Sequence, residues 1–161
     1  MFKIRLLILL LISSFIFSCT NNQINYSNKK YSVAYIGGEF DGLVLKNYLT
    51  SSLKNLDIYD PASKYEIQAT IGHNSDLFIT NTDNTSDREK ISTTLNVIVK
   101  NSHIGCKIYK DDINVSQFYI YASSDKFLSN EKALEKIKKN NTEVAVDQFI
   151  NKLIVNENKC D

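Results

Sequence analysis

Tryptophan is absent from the 161 residues, proline occurs once, histidine twice, cysteine three times and glycine five times. These scarcities exclude several kinds of chemistry. A phosphate-cradling loop needs spaced glycines followed by lysine and serine or threonine, whereas Gly37 and Gly38 form an isolated pair. A zinc hydrolase needs closely spaced ligands such as H-E-x-x-H, whereas His73 and His103 stand on different segments without flanking ligand patterns. No G-x-S-x-G stretch offers a serine nucleophile. Asp111 and Asp112 are adjacent, and adjacent strand residues point to opposite faces, so they read as a turn or bulge rather than a catalytic pair. No metal or cofactor is implied. Catalysis is not expected, which leaves a binding or scaffolding role.

An excess of one charge is also missing: 19 basic residues stand against 18 acidic ones, so nothing argues for a nucleic-acid partner. Lysine far outnumbers arginine, and asparagine and isoleucine are abundant, as in proteins from A+T-rich genomes. Individual lysines therefore carry little weight. The one long apolar run lies at the start. Lys3 and Arg5 precede an almost wholly apolar stretch from Leu6 to Phe17, the order of a secretory signal peptide. A membrane-spanning helix needs about 20 apolar residues, and here the polar run Thr20, Asn21, Asn22, Gln23 follows directly.

The end of that run, Ile16, Phe17, Ser18, Cys19, resembles the lipobox of bacterial lipoproteins, with Phe17 bulkier than usual at its position. The resemblance implies cleavage before Cys19 and acylation of that cysteine. More than one acyl chain is needed for durable anchoring, each buried methylene contributing about 0.8 kcal/mol. The residue after Cys19 is Thr20, not the aspartate that in enterobacteria marks inner-membrane retention, so the outer membrane is favoured. The expected organisation is a signal peptide over 1–18, a lipidated cysteine and polar tether over 19–30, and a domain over 31–161. The mature 143 residues suit one domain with a modest core.

Within the domain, Tyr31, Val33 and Tyr35 alternate as a short strand that ends at Gly37 and Gly38. A helix follows, with Asp41 as its cap and Leu45, Tyr48, Leu49, Ser52, Leu53 and Leu56 on one face. Past Asp60 and Pro61, Tyr65, Ile67, Ala69 and Ile71 alternate with polar residues as a strand buried on one face. The segment 81–87 has no apolar residue and reads as a solvated hairpin loop. Ile91, Thr93, Leu95, Val97 and Val99 form the next strand, residues 101–105 a turn, and residues from about Cys106 to Tyr121 a further strand, irregular near Asp111 and Asp112. A final helix runs from about Asn130 to Val155, with Leu134, Ile137, Val144, Ala145, Phe149 and Leu153 on its apolar face. The order β-α-β-β-β-α predicts an α+β two-layer sandwich, a four-stranded sheet with two helices on one face. The last helix then runs back toward the start of the strand before it, which brings Cys106 and Cys160 together as a candidate disulfide. Two free thiols are the alternative.

Several stretches together resemble the lipopolysaccharide-assembly lipoprotein family LptE, in its alphaproteobacterial branch. They are the lipobox, the element order, Thr85, Ser86, Asp87 and Arg88 opening the second hairpin, Tyr121, Ala122 and Ser123, and then Ala133 and the run from Val144 to Leu153. The chain departs from the family where Cys19 is followed by Thr20 and Asn21 instead of glycine and phenylalanine. The resemblance implies a non-enzymatic partner that plugs the outer-membrane barrel LptD, helps it assemble and contacts lipopolysaccharide. Cations beside the hairpin loop can pair with the phosphates of that lipid, and the candidates are Arg88 and Lys90. Arg88 is the sole arginine after residue 18, and its planar fork suits bidentate phosphate contact. An auxiliary lipoprotein of an envelope ABC-type transport system is the alternative, and a secreted hydrolase of unfamiliar type a third reading.

Overall fold

The structure, a computed structural model, describes residues 29–79, 86–120 and 127–155. The signal segment, Cys19 and most of the tether, the loop residue Thr85, Tyr121, Ala122 and Ser123, and Cys160 lie outside the described residues. Six elements follow in the expected order: β1 (Ser32–Gly37), α1 (Glu39–Asn55), β2 (Tyr65–Ile79), β3 (Ser86–Asn101), β4 (Cys106–Ile120) and α2 (Phe127–Val155). The four strands form one mixed sheet in sequence order, an α+β fold. β1 is parallel to β2, and the other pairs are antiparallel.

The parallel pair requires a crossover, and α1 supplies it. Its leucines at a four-residue spacing, Leu45, Leu49 and Leu53, are fully buried. The helix begins earlier than Asp41. Gly38 is its N-cap, in the left-handed region at φ 116° and without a side-chain cap. A Cβ there would lie 2.7 Å from the Ile71 carbonyl oxygen, so glycine is what lets the chain turn into α1 against β2. Asp41 instead sits in the first turn of the helix, where a negative charge complements the helix dipole. Beyond α1, the Tyr31 N–H donates to the Ile58 carbonyl at 2.8 Å and the Asp60 N–H to the Tyr31 carbonyl at 3.0 Å, which fixes the start of β1.

Three strands differ from the sequence expectation. β1 is irregular between Val33 and Ile36, which breaks the alternation and leaves Tyr35 exposed while Tyr31 is buried. β2 and β3 pair from Tyr65 with Asn101 out to Ile79 with Ser86, a longer hairpin than the hydropathy pattern marks. Just beyond Ile71 the residues of β2 on the helix side, His73 and Ser75, are polar and bond polar partners: His73 Nδ1 lies 2.8 Å from Thr93 Oγ1, and the Ser75 hydroxyl donates to the Glu89 carboxylate. A face held by hydrogen-bonded pairs has no apolar period. In β4 the irregularity falls at Ile108, between the pairs Val99 with Tyr109 and Lys100 with Lys107, not at Asp111 and Asp112. A bulge lets neighbouring residues face one side, and here Ile108 and Tyr109 both join the core.

α2 begins at Phe127, ahead of the expected Asn130. Its last half buries Ala145, Val146, Phe149, Ile150 and Leu153 against Leu95, Val97, Val99 and Ile113 of the sheet. Its first half is different. The buried positions there are Asn130, Asn141 and Thr142, whereas Leu134 and Ile137, expected in the core, are half-buried. Asn130 accepts from the Tyr119 hydroxyl, and the Asn141 amide donates to the Ile91 carbonyl at 3.2 Å.

Candidate functional site

Both helices lie on one face of the sheet, so among the described residues the other face is bare. It is built from the residues that alternate with the core positions. Across β2, β3 and β4 these include Thr70, Asn96 and Asp112, then Thr94 and Asn114, then Ser92 and Ser116. Thr94 donates its hydroxyl to Asn114 Oδ1 at 2.7 Å, and Asn96 its amide to Thr70 Oγ1 at 3.4 Å. Short polar side chains thus hold one another flat across the strands. The middle rows of this surface can form hydrogen bonds across the strands, while Glu66, Lys100 and Lys110 toward one end and Asp76 and Lys90 toward the other charge its flanks.

Arg88 and Lys90 stand on this bare face at its far end, within β3 rather than on the loop beside it. Their neighbours Glu89 and Ile91 are buried on the helix side, which fixes the cations outward. In the antiparallel register Arg88 is opposite Ile120 and Lys90 opposite Phe118. On its other side Lys90 is opposite Asp76. Phe118 and Ile120 are 62% and 72% exposed. Sequence reasoning named the cations and passed over these two apolar residues. The signal was available: counting by twos from Ile113 puts Phe118 and Ile120 on the face away from the core.

A second concavity, about 230 Å³, lies between the helices and the sheet and is lined by Phe40, Asp41, Val44, His73, Lys138 and Thr142 among others. Burial pushes the His73 imidazole below its ordinary pKa; the Asp41 carboxylate 3.7 Å away pulls the other way, and Lys138 adds to the downward push. His73 thus favours its neutral form, held by Thr93, and serves as a packed bridge between β2 and α1. His103, the other histidine, is in the turn after β3, where its N–H donates to Asn101 Oδ1 at 3.1 Å.

Asp111 latches α2 to the edge of the sheet, accepting from Lys152 Nζ at 2.7 Å and from the Tyr109 hydroxyl at 2.9 Å. The Lys152 ammonium holds the Asp111 carboxyl below the usual range against a smaller effect of burial, and Asp111 in turn helps burial push the Tyr109 phenol upward. Asp112 faces the opposite side and is exposed. Among the described residues no group of three or more histidines, cysteines and acids is placed to hold a metal ion. No described helix is long and apolar enough to cross a membrane. Cys106 is disulfide-bonded.

The sequence matches no protein-family model, and no curated protein matches it in sequence. Solved structures do match in fold. Rare lipoprotein B from Shewanella oneidensis is similar at a TM-score of 0.62 and 12% identity, over 78% of this chain and 93% of that one. A minor lipoprotein from Acinetobacter baumannii is similar at 0.62 and 12%, over 84% and 98%. A putative lipoprotein from Caulobacter crescentus is similar at 0.55 and 16%, over 77% and 87%. At such identities the likeness establishes a shared fold, and the fold is one that these lipoproteins use.

Proposed function

We propose that the mature chain is an outer-membrane lipoprotein, anchored through Cys19, that partners and plugs an LptD-like β-barrel and assists lipopolysaccharide assembly without catalysing a reaction. The observation that carries the reading is the bare sheet face. A two-layer domain with one broad side left open by its helices, hydrogen-bonded through short polar residues at its middle and charged toward both ends, suits a barrel lumen, whose walls are polar. The fold shared with lipoproteins, rare lipoprotein B among them, and the lipobox at Cys19 support the same reading. Arg88 and Lys90, outward at one end of that face, are the residues assigned to lipopolysaccharide phosphates.

Crosslinking in intact cells followed by pull-down of the full chain tests the proposal. A large outer-membrane barrel is the expected partner, and Asp or Glu substitutions at Thr94 and Asn96 should reduce its yield severalfold. Recovery of inner-membrane or substrate-binding transport components instead would replace the reading with the envelope-transporter one.

The disulfide of Cys106 is assigned to Cys160, which leaves Cys19 for lipid. Protein isolated without reductant should then show neither Cys106 nor Cys160 labelled by a thiol reagent, and both labelled after reduction. Full reaction of both before reduction would remove the assignment.

A further inference from the structure

Resting on the assignment of lipopolysaccharide phosphates to Arg88 and Lys90, we propose that Phe118 and Ile120 form an acyl-chain subsite beside those cations, so that this end of the sheet holds an anionic lipid by its charge and its hydrocarbon together. The register carries the argument. Directly opposite residues of an antiparallel pair project from the same face with Cβ atoms about 4.5–5.5 Å apart, and here each cation has a large apolar residue as that partner. Charge is segregated along β4 in the same sense: Lys107, Lys110, Asp111 and Asp112 occupy its near half, whereas Ile113 to Ile120 carry no ionisable group but Tyr119, whose hydroxyl is turned inward to Asn130.

β4 is also the edge of the sheet, so a hydrocarbon chain reaches Phe118 and Ile120 from the side without crossing the polar face. Leu77 and Leu128, 61% and 75% exposed, add apolar surface at this end of the domain on the helix side. The pattern fits an amphiphile better than a protein partner. Arginine and phenylalanine are common at protein interfaces but lysine is depleted there, so the pairing of Lys90 with Phe118 is the discriminating one. A lipid with an anionic head places charge and hydrocarbon at such adjoining positions.

The test compares lipopolysaccharide with its fully deacylated form, binding each to the full mature chain in non-ionic detergent. The wild-type chain should bind the acylated form at least ten-fold tighter. F118S/I120S should lose that preference, keep the affinity for the deacylated form, and unfold at the same temperature as wild type, both positions being exposed. Equal binding of the two forms by the wild type, or a preference that survives F118S/I120S, would overturn the subsite. R88E/K90E should weaken both forms. If R88E/K90E changes neither affinity, the phosphate assignment fails first, and the pairing of charge with hydrocarbon goes with it, whatever F118S/I120S does.

Discussion

Phe149→Ala should lower the unfolding free energy by about 3–5 kcal/mol, the range for removing a large buried side chain whose cavity only partly closes. Phe149 is fully buried, and its ring packs on that of Tyr109 with centroids 5.8 Å apart and planes tilted by 50°. Tilted aromatic pairs add stabilisation beyond the area they bury. The position also supports a second contact. Tyr109 donates to Asp111, which holds Lys152 one turn along α2, so an empty space beneath Tyr109 loosens the latch at the edge of the sheet. Folded domains of this size are stable by roughly 5–15 kcal/mol in total, so the variant should unfold at a clearly lower urea concentration or fail to accumulate. Urea unfolding followed by circular dichroism measures it. Leu128→Ala is the control: Leu128 is 75% exposed, and surface substitutions usually stay within about 0.5 kcal/mol. A loss below about 1 kcal/mol for Phe149→Ala would show that α2 is not docked as described.

The order of elements was legible because most of the core obeys simple periods. Leu45, Leu49 and Leu53 mark a helix stripe, and Leu95, Val97 and Val99 mark a strand face, so each segment announces both its type and its buried side. Part of the difference from the sequence pattern has one cause, which is that the buried face turns polar toward one end of the sheet. His73, Glu89 and Thr93 face the helices there, opposite Asn130, Asn141 and Thr142 of α2. A hydropathy pattern registers none of these as interior, because their burial depends on partners that are distant in sequence: Ile91 and Asn141 are hydrogen-bonded across 50 positions. Hence the hydropathy pattern marks β2 too short and places Leu134 and Ile137 in an interior that Asn130, Asn141 and Thr142 fill instead. The β1 irregularity and the bulge at Ile108 were hidden for another reason. Each is a local shift of register, and the residues on either side keep plausible strand patterns whichever way the chain slips.

The site was legible by halves. Arg88 and Lys90 were singled out by type and by position next to a polar loop, since a lone arginine is conspicuous in a lysine-rich chain. Their apolar neighbours were not, because Phe118 and Ile120 lie some 30 residues further on and become adjacent only through the β3 and β4 pairing. Hydrophobic residues in a strand are ordinarily credited to the core. Here the strand alternates apolar residues on both faces near its end, with Val115 and Tyr119 inward and Phe118 and Ile120 outward, and only the register separates the two sets.

Cys19→Ser should abolish incorporation of labelled palmitate into the chain and remove it from the outer-membrane fraction. On the lipoprotein reading the thiolate of Cys19 is the nucleophile that takes the first lipid, and a serine hydroxyl, far less ionised, does not replace it. Cleavage before residue 19 depends on that lipid, so the variant should keep its leader and run larger by about the mass of 18 residues. One remaining chain would give only marginal binding, so partial lipidation would show as protein divided between soluble and membrane fractions. The fold itself should be indifferent to the change, because the described domain begins with Lys29 and its first ordered strand at Ser32, and thermal unfolding should match wild type. The geometry adds a consequence for reach. The chain enters the sheet beside Tyr65, at the end of β2 opposite Asp76 and Lys90, and a strand of 15 residues at about 3.3 Å each spans roughly 45–50 Å. A tether of about a dozen residues extends at most about 40 Å. The cationic and apolar end of the sheet therefore lies away from the chain's entry, and Lys90, opposite Asp76 and about 36 Å along β2 from Tyr65, would be within reach of the anchoring membrane only with the tether nearly fully extended. Palmitate labelling that persists in Cys19→Ser, or is missing from the wild type, would break the anchor.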